Sequence, residues 1–124
     1  MNWKQIKKDC PKAYDALNKS NYAPFYDYIK KNGETEYIEL WIRELYEFFD
    51  ENGIYVEIQL DHTLEIKYAP FVWWDVIWDG SMPIEDLYTE EKNWWQDEFL
   101  YRTRIQAEAA AFIKSFEILE NNLK

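Results

Sequence analysis

With Cys10 as its single cysteine, the chain can form neither an internal disulfide nor a multi-cysteine zinc site, which fits a reducing compartment. His62 is the only histidine, so nucleophilic chemistry of the Ser-His-acid kind has one imidazole to draw on. Ser20, Ser81 and Ser115 all lie outside a nucleophile-elbow context. The three glycines, Gly33, Gly53 and Gly80, are isolated from one another, and no Walker loop or dinucleotide fingerprint can be built from them. No catalytic residue, metal or cofactor is therefore expected. Four prolines beside three glycines also argue against a disordered or collagen-like chain, which depends on those two residues. No apolar run approaches the roughly 20 residues needed to cross a bilayer. The longest candidate, Ala69 to Trp74, is closed by Asp75. The opening MNWKQIKKDCPKAY carries charge without an apolar core or a small-residue cleavage site, so a cytoplasmic location away from membranes is expected.

What is abundant is aromatic and acidic. The 124 residues are enough for one core and are read as a single domain, 1–124. The 7 Trp, 10 Tyr and 7 Phe supply burial that other cores take from aliphatic residues. Net charge is −10, unevenly spread. Residues 1–33 carry seven Lys against Asp9, Asp15 and Asp27, a balance of +4, and the remaining 7 basic and 21 acidic residues leave −14 over 34–124. Such charge either keeps the protein soluble or forms an acidic face for a basic partner. Both readings oppose nucleic-acid binding, because phosphates would be repelled.

Periodicity predicts an α+β fold with short N-terminal helices, one long helix, a three- to four-stranded antiparallel sheet and a C-terminal amphipathic helix packed on that sheet. Trp3, Ile6 and Cys10 recur at helical spacing, Pro11 opens a second helix carrying Ala13, Ala16 and Leu17, and Phe25, Tyr28 and Ile29 mark a third ending near Gly33. Over Thr35 to Asn52 a buried stripe of Ile38, Trp41, Ile42, Leu45, Phe48 and Phe49 predicts the long helix, capped by Gly53. The period then changes to two. Ile54, Val56, Ile58 and Leu60 form one strand, Asp61-His62-Thr63 a turn, and Leu64, Ile66 and Tyr68 the return strand of a hairpin. Ala69-Pro70 is expected to break the ladder or start a bulge, and Phe71 to Asp79 to resume extended structure. Gly80 to Lys92 reads as a loop with a helical turn near Pro83, Asn93 to Glu98 is ambiguous, and Phe99 to Tyr101 reads as a last short strand. Thr103-Arg104-Ile105-Gln106 matches a capping box opening a helix to about Asn121, with Ile105, Ala109, Phe112, Phe116, Leu119 and Leu123 on one face. Ala107, Ala110 and Ala111 offer a small-residue surface for close approach.

Two terminal stretches carry a resemblance. Trp3-Lys4-Gln5-Ile6-Lys7 followed by Pro11-Lys12-Ala13, and Tyr101-Arg102-Thr103-Arg104 leading through Ala107-Glu108-Ala109-Ala110 to Lys114 and Phe116-Glu117-Ile118-Leu119, resemble small proteins of Bacteroides-type bacteria and their phages. The resemblance covers about a third of the chain. It implies a phage or mobile-element setting and a short sheet preceding a final helix, and it transfers no site residues.

Two features are candidates for binding. Asp75 and Asp79 share a side of the predicted strand and could join Asp61 and His62 across the sheet as an acid/base or divalent-metal cluster, or simply be solvated charge. Alternation sets Trp74 with Trp78 on one face and Phe71 with Trp73 on the other, echoed by Trp94-Trp95, so one aromatic face must meet something. That something is either the protein's own helices or a partner. The leading expectation is a noncatalytic acidic interaction or accessory protein with a protein partner. The alternative is a sugar-like ring stacked on Trp73, Trp74 or Trp78 with Asp75 or Asp79 accepting its hydroxyls. Self-association could also cover an aromatic face.

Overall fold

The computed structural model describes residues 3–22, 42–61, 66–74, 94–97 and 99–124. Among them are four helices, α1 (Trp3–Asp9), α2 (Pro11–Lys19), α3 (Ile42–Glu51) and α4 (Arg104–Asn122). Three strands, β1 (Ile54–Asp61), β2 (Lys67–Trp74) and β3 (Trp94–Gln96), form one antiparallel sheet in the order β1-β2-β3. Helix α4 lies across β1 and β2, α3 packs against β1, and α1 and α2 pack on α4. The fold is α+β with the C-terminal helix on the sheet. The helices expected near Phe25 and Pro83, the stretch 35–41 of the long helix, and the extension of β2 past Trp74 lie outside the described residues.

Aromatic rings join the chain's two ends. Trp3, 1% exposed, meets Phe116 edge-on at 5.8 Å, and Phe116 meets Phe49 at 4.9 Å. Phe49 also stacks on Phe112 at 5.9 Å. Burying each such ring contributes about 2–3 kcal/mol, which lets helices as short as α1 and α2 persist. Gly53 ends α3 at φ 72°, a left-handed geometry that costs glycine nothing, and its N–H reaches the Asp50 carbonyl at 3.1 Å.

Directly paired residues share a face of the sheet. The pairs Ile54↔Trp74, Val56↔Val72, Ile58↔Pro70 and Val72↔Trp95 therefore face one way, toward the helices, where Ile54, Val56, Ile58, Val72, Trp74 and Trp95 belong to or pack on the core. Tyr55, Glu57, Gln59, Phe71, Trp73, Trp94 and Gln96 face the opposite way.

Four sequence expectations need correction. Asp61 is strand, paired with Lys67, so β2 begins at Lys67, just past exposed Ile66, and Leu64 lies outside the described residues. Pro70 does not break the β1 ladder; it pairs with Ile58 inside the central strand. Tyr68 exchanges both backbone bonds with Tyr101, at 2.8 and 2.9 Å, and two residues on Pro70 turns its nitrogen to that same side. There the ladder is offset, with four residues between Gln96 and Tyr101 against two between Phe71 and Tyr68, so no donor is demanded of proline. The third strand is Trp94–Gln96, and Tyr101 makes only an isolated bridge. Between them Asp97 turns the chain, its Oδ1 accepting from the Phe99 N–H at 2.9 Å. Finally, the buried side of α4 keeps Phe112, Phe116 and Leu119 of the expected stripe but not its two ends. Ile105 and Leu123 are each 42% exposed, and the buried side is Ala107, Glu108, Ala111, Phe112, Ser115, Phe116 and Leu119. Ala107 and Ala111 of the small-residue surface are fully buried, on a helix that packs against β1 and β2, while Ala110 is half-buried. The expected cap is present, Thr103 Oγ1 accepting from the Gln106 N–H at 3.2 Å.

Candidate functional site

The outward face of the sheet is where aromatic surface is left over. Strand pairing aligns Tyr55, Trp73 and Trp94 in one row across β1, β2 and β3, and Glu57, Phe71 and Gln96 in the next. Trp94 sits between the other two large rings, 5.9 Å from Trp73 at an interplanar angle of 33° and 6.3 Å from Phe71 at 31°. All three are half-buried, and Tyr55 is 39% exposed. β-Branched and aromatic residues suit a pleated surface, so propensity alone admits them to strands, but the described helices that bury Val72 and pack against Trp74 lie on the other side of the sheet.

One carboxylate stands among these rings. Glu57 Oε2 accepts from the Trp73 indole N–H at 3.2 Å, and its Oε1 accepts from the Gln59 amide at 3.3 Å. Both donors are neutral, and among the described residues no cation pairs with it. The nearest basic residue along the ladder is Lys67, in the last row opposite Asp61. Glu57 and Gln59 are exposed, so the carboxylate keeps its contact with water.

The structure sorts the expected site residues differently from the sequence. Trp73 is on the outward face. Trp74 is on the inward face, half-buried against the core, so the two indoles do not act together. Asp61 shares the outward face with Trp73 but lies six residues further along β1 from Trp73's partner Tyr55, about 20 Å at the rise of a strand. His62, Asp75, Trp78 and Asp79 lie outside the described residues, and the proposed acid cluster with them. Among the described residues no three His, Cys, Asp or Glu converge as metal ligands. Glu57 and Tyr55 were not singled out in the sequence, although the signal was present. Once a hairpin register is set, strand parity places both beside Trp73.

Other polar groups in the fold are occupied structurally. Glu108, 5% exposed, accepts from the Tyr46 hydroxyl at 2.7 Å and lies 3.6 Å from Arg104; burial, then this bond, pushes the Tyr46 phenol up. Glu120, 6% exposed, accepts from the backbone N–H groups of Ala13 at 2.8 Å and Lys12 at 3.3 Å, capping α2 where Cys10 supplies no side-chain cap. Cys10 is itself buried, and burial followed by the charges of Glu120, Glu117 and Asp9 pushes its thiol up to about 11, far from the thiolate a nucleophile requires. A cavity of about 100 Å³ beside it, lined by Gln5, Ile6, Asp9, Ile113 and Glu117, is below the size of ordinary ligand pockets. No helix among the described residues is long and apolar enough to cross a membrane. Comparison of the chain with protein-family models, with curated proteins and with solved structures finds no match.

Proposed function

We propose that the chain is a noncatalytic binding protein whose outward sheet face, built on Trp73, Trp94 and Phe71, docks a protein partner. The observation that carries this reading is the clustering of three large rings across two strands on the side of the sheet opposite the four described helices. Aromatic side chains combine large apolar area with few rotatable bonds, which is why they anchor interfaces. The test is capture of partners by tagged wild type and by Trp94→Ala, at low and at high salt. Trp94 lies on a three-residue strand at the end of the described sheet, so the variant should keep its cooperative thermal unfolding transition. A partner retained by wild type and lost by folded Trp94→Ala is the expected result. Equal retention by both would move the interface elsewhere.

A second reading has its own support: Gln59 and Gln96 place exposed amides beside the rings, an arrangement suited to the hydroxyls of a sugar-like ligand stacked on an indole. Saturable change in tryptophan fluorescence with neutral oligosaccharides, lost in Trp94→Ala, would favour it.

A further inference from the structure

We infer that the outward face takes a cationic segment of its partner, an arginine-bearing extended stretch whose guanidinium stacks on Trp94 and Trp73 and pairs with Glu57. This rests on the reading of that face as a protein-docking surface and gives the partner's chemistry. Three observations converge on it. The rings present π-faces that attract a cation electrostatically, an attraction strengthened as water is displaced. Glu57 is oriented by two neutral donors and, among the described residues, has no counter-ion, so it offers a carboxylate to an incoming cation. The chain as a whole is at −10, with the excess over residues 34–124, and steers a positive partner toward it. Arginine fits better than lysine because its planar group can stack on an indole while its N–H fork meets a carboxylate. A phosphate-bearing ligand would be repelled by Glu57. A neutral one would leave that charge uncompensated.

The probe is a blocked hexapeptide containing alternating arginines, compared with the same peptide carrying glutamine at those positions, titrated at physiological ionic strength. Glu57→Gln keeps an acceptor for the Trp73 indole and removes only the charge. Glu117→Gln makes the same change in net charge on α4, on the other side of the sheet. The arginine peptide is expected to bind wild type, and Glu57→Gln and Trp94→Leu each to weaken it about three- to fivefold, the range of an exposed cation–π or charge contact. Glu117→Gln should change little. Equal weakening by Glu117→Gln and Glu57→Gln would reduce the attraction to net charge and overturn the inference, as would no binding at all. If the glutamine peptide binds as tightly and Trp94→Leu abolishes that binding, the cationic partner is wrong and the docking face stands. If neither Trp94→Leu nor Glu57→Gln alters the binding of any peptide or captured partner, both fall. Should Trp94→Leu fail to fold, the comparison of Glu57→Gln with Glu117→Gln decides alone.

Discussion

Glu120 shows how one side chain can complete an element far from it in sequence. Helix α2 begins at Pro11, whose missing N–H needs no acceptor, and the next two N–H groups point to the two oxygens of this carboxylate. A carboxylate there also meets the positive end of the helix dipole. Glu120→Ala removes both acceptors, one of them from a buried donor, and should cost about 2 kcal/mol. Glu120→Gln retains one carbonyl oxygen and should recover roughly half of that loss. Urea unfolding gives the comparison directly, as a lowered midpoint with unchanged slope. A cost under about 0.5 kcal/mol for the alanine variant would mean that Pro11 and packing hold α2 without the cap. Nothing in the local sequence around Cys10 announces this cap, because its acceptor arrives only when α4 packs on α2.

At the scale of elements, α4 offers a sharp test of which side is buried. Ala111 is fully buried in the core on the helix that packs on β1 and β2, while Ile105 is 42% exposed. Ala111→Leu should overpack the core and cost about 1–3 kcal/mol, whereas Ile105→Ser should stay within about 0.5 kcal/mol of wild type. Thermal or urea midpoints of the two variants check the buried side; the reverse order would restore the stripe that spacing alone predicts. The reason spacing misplaced its ends is physical. A 3.6-residue period fits Ile105 and Leu123 as well as Ala111 and Ser115, and only packing distance favours the small residues. Elements with long, clean patterns were legible: α3 through Leu45, Phe48 and Phe49, β1 through its alternation, α4 through its cap. β3 was not, because three residues carry no period and its partner lies twenty residues away in sequence. Pro70 was legible in part: the ladder is offset at it on the β3 side and continuous on the β1 side, because a proline's cost depends on which edge its nitrogen faces, a matter of register. The candidate site was legible in part for the same reason. Trp73 and Phe71 follow from parity within one strand, but their company, Trp94 and Glu57, is set by pairing between strands.

For the whole molecule, charge and burial act separately. Among the described residues the ion pairs Lys19–Asp15, Arg43–Glu47 and Lys114–Glu117 each lie within one helix and are exposed or partly so, and pairs of that kind contribute little, whereas Arg104 meets the buried Glu108. Stability therefore rests mainly on the aromatic core, and several groups in it or at its margin are acids held in their neutral form. Cys10 is pushed by burial from 9.0 to about 11. Tyr22 and Tyr101 are raised from 10.0 to about 12, by burial and then by bonding to Glu51 and Asp97 respectively, and Tyr46 is raised by burial and Glu108. Between pH 9 and 11 the unfolded chain releases the Cys10 proton while the native chain keeps it, so rising pH favours unfolding; the phenols repeat this from pH 10 upward. These contributions are complete below pH 9 and disappear as pH passes the folded values. The urea midpoint should thus hold its value up to about pH 9 and then fall, with Cys10→Ala delaying the onset because the first group to titrate is gone. Tyrosinate absorbance recorded on the same samples should show the phenols of Tyr22, Tyr46 and Tyr101 lagging until the fold is lost. A midpoint that stays level from pH 9 to 11 in wild type would place Cys10 in water, contrary to the packing of α1, α2 and α4 around it.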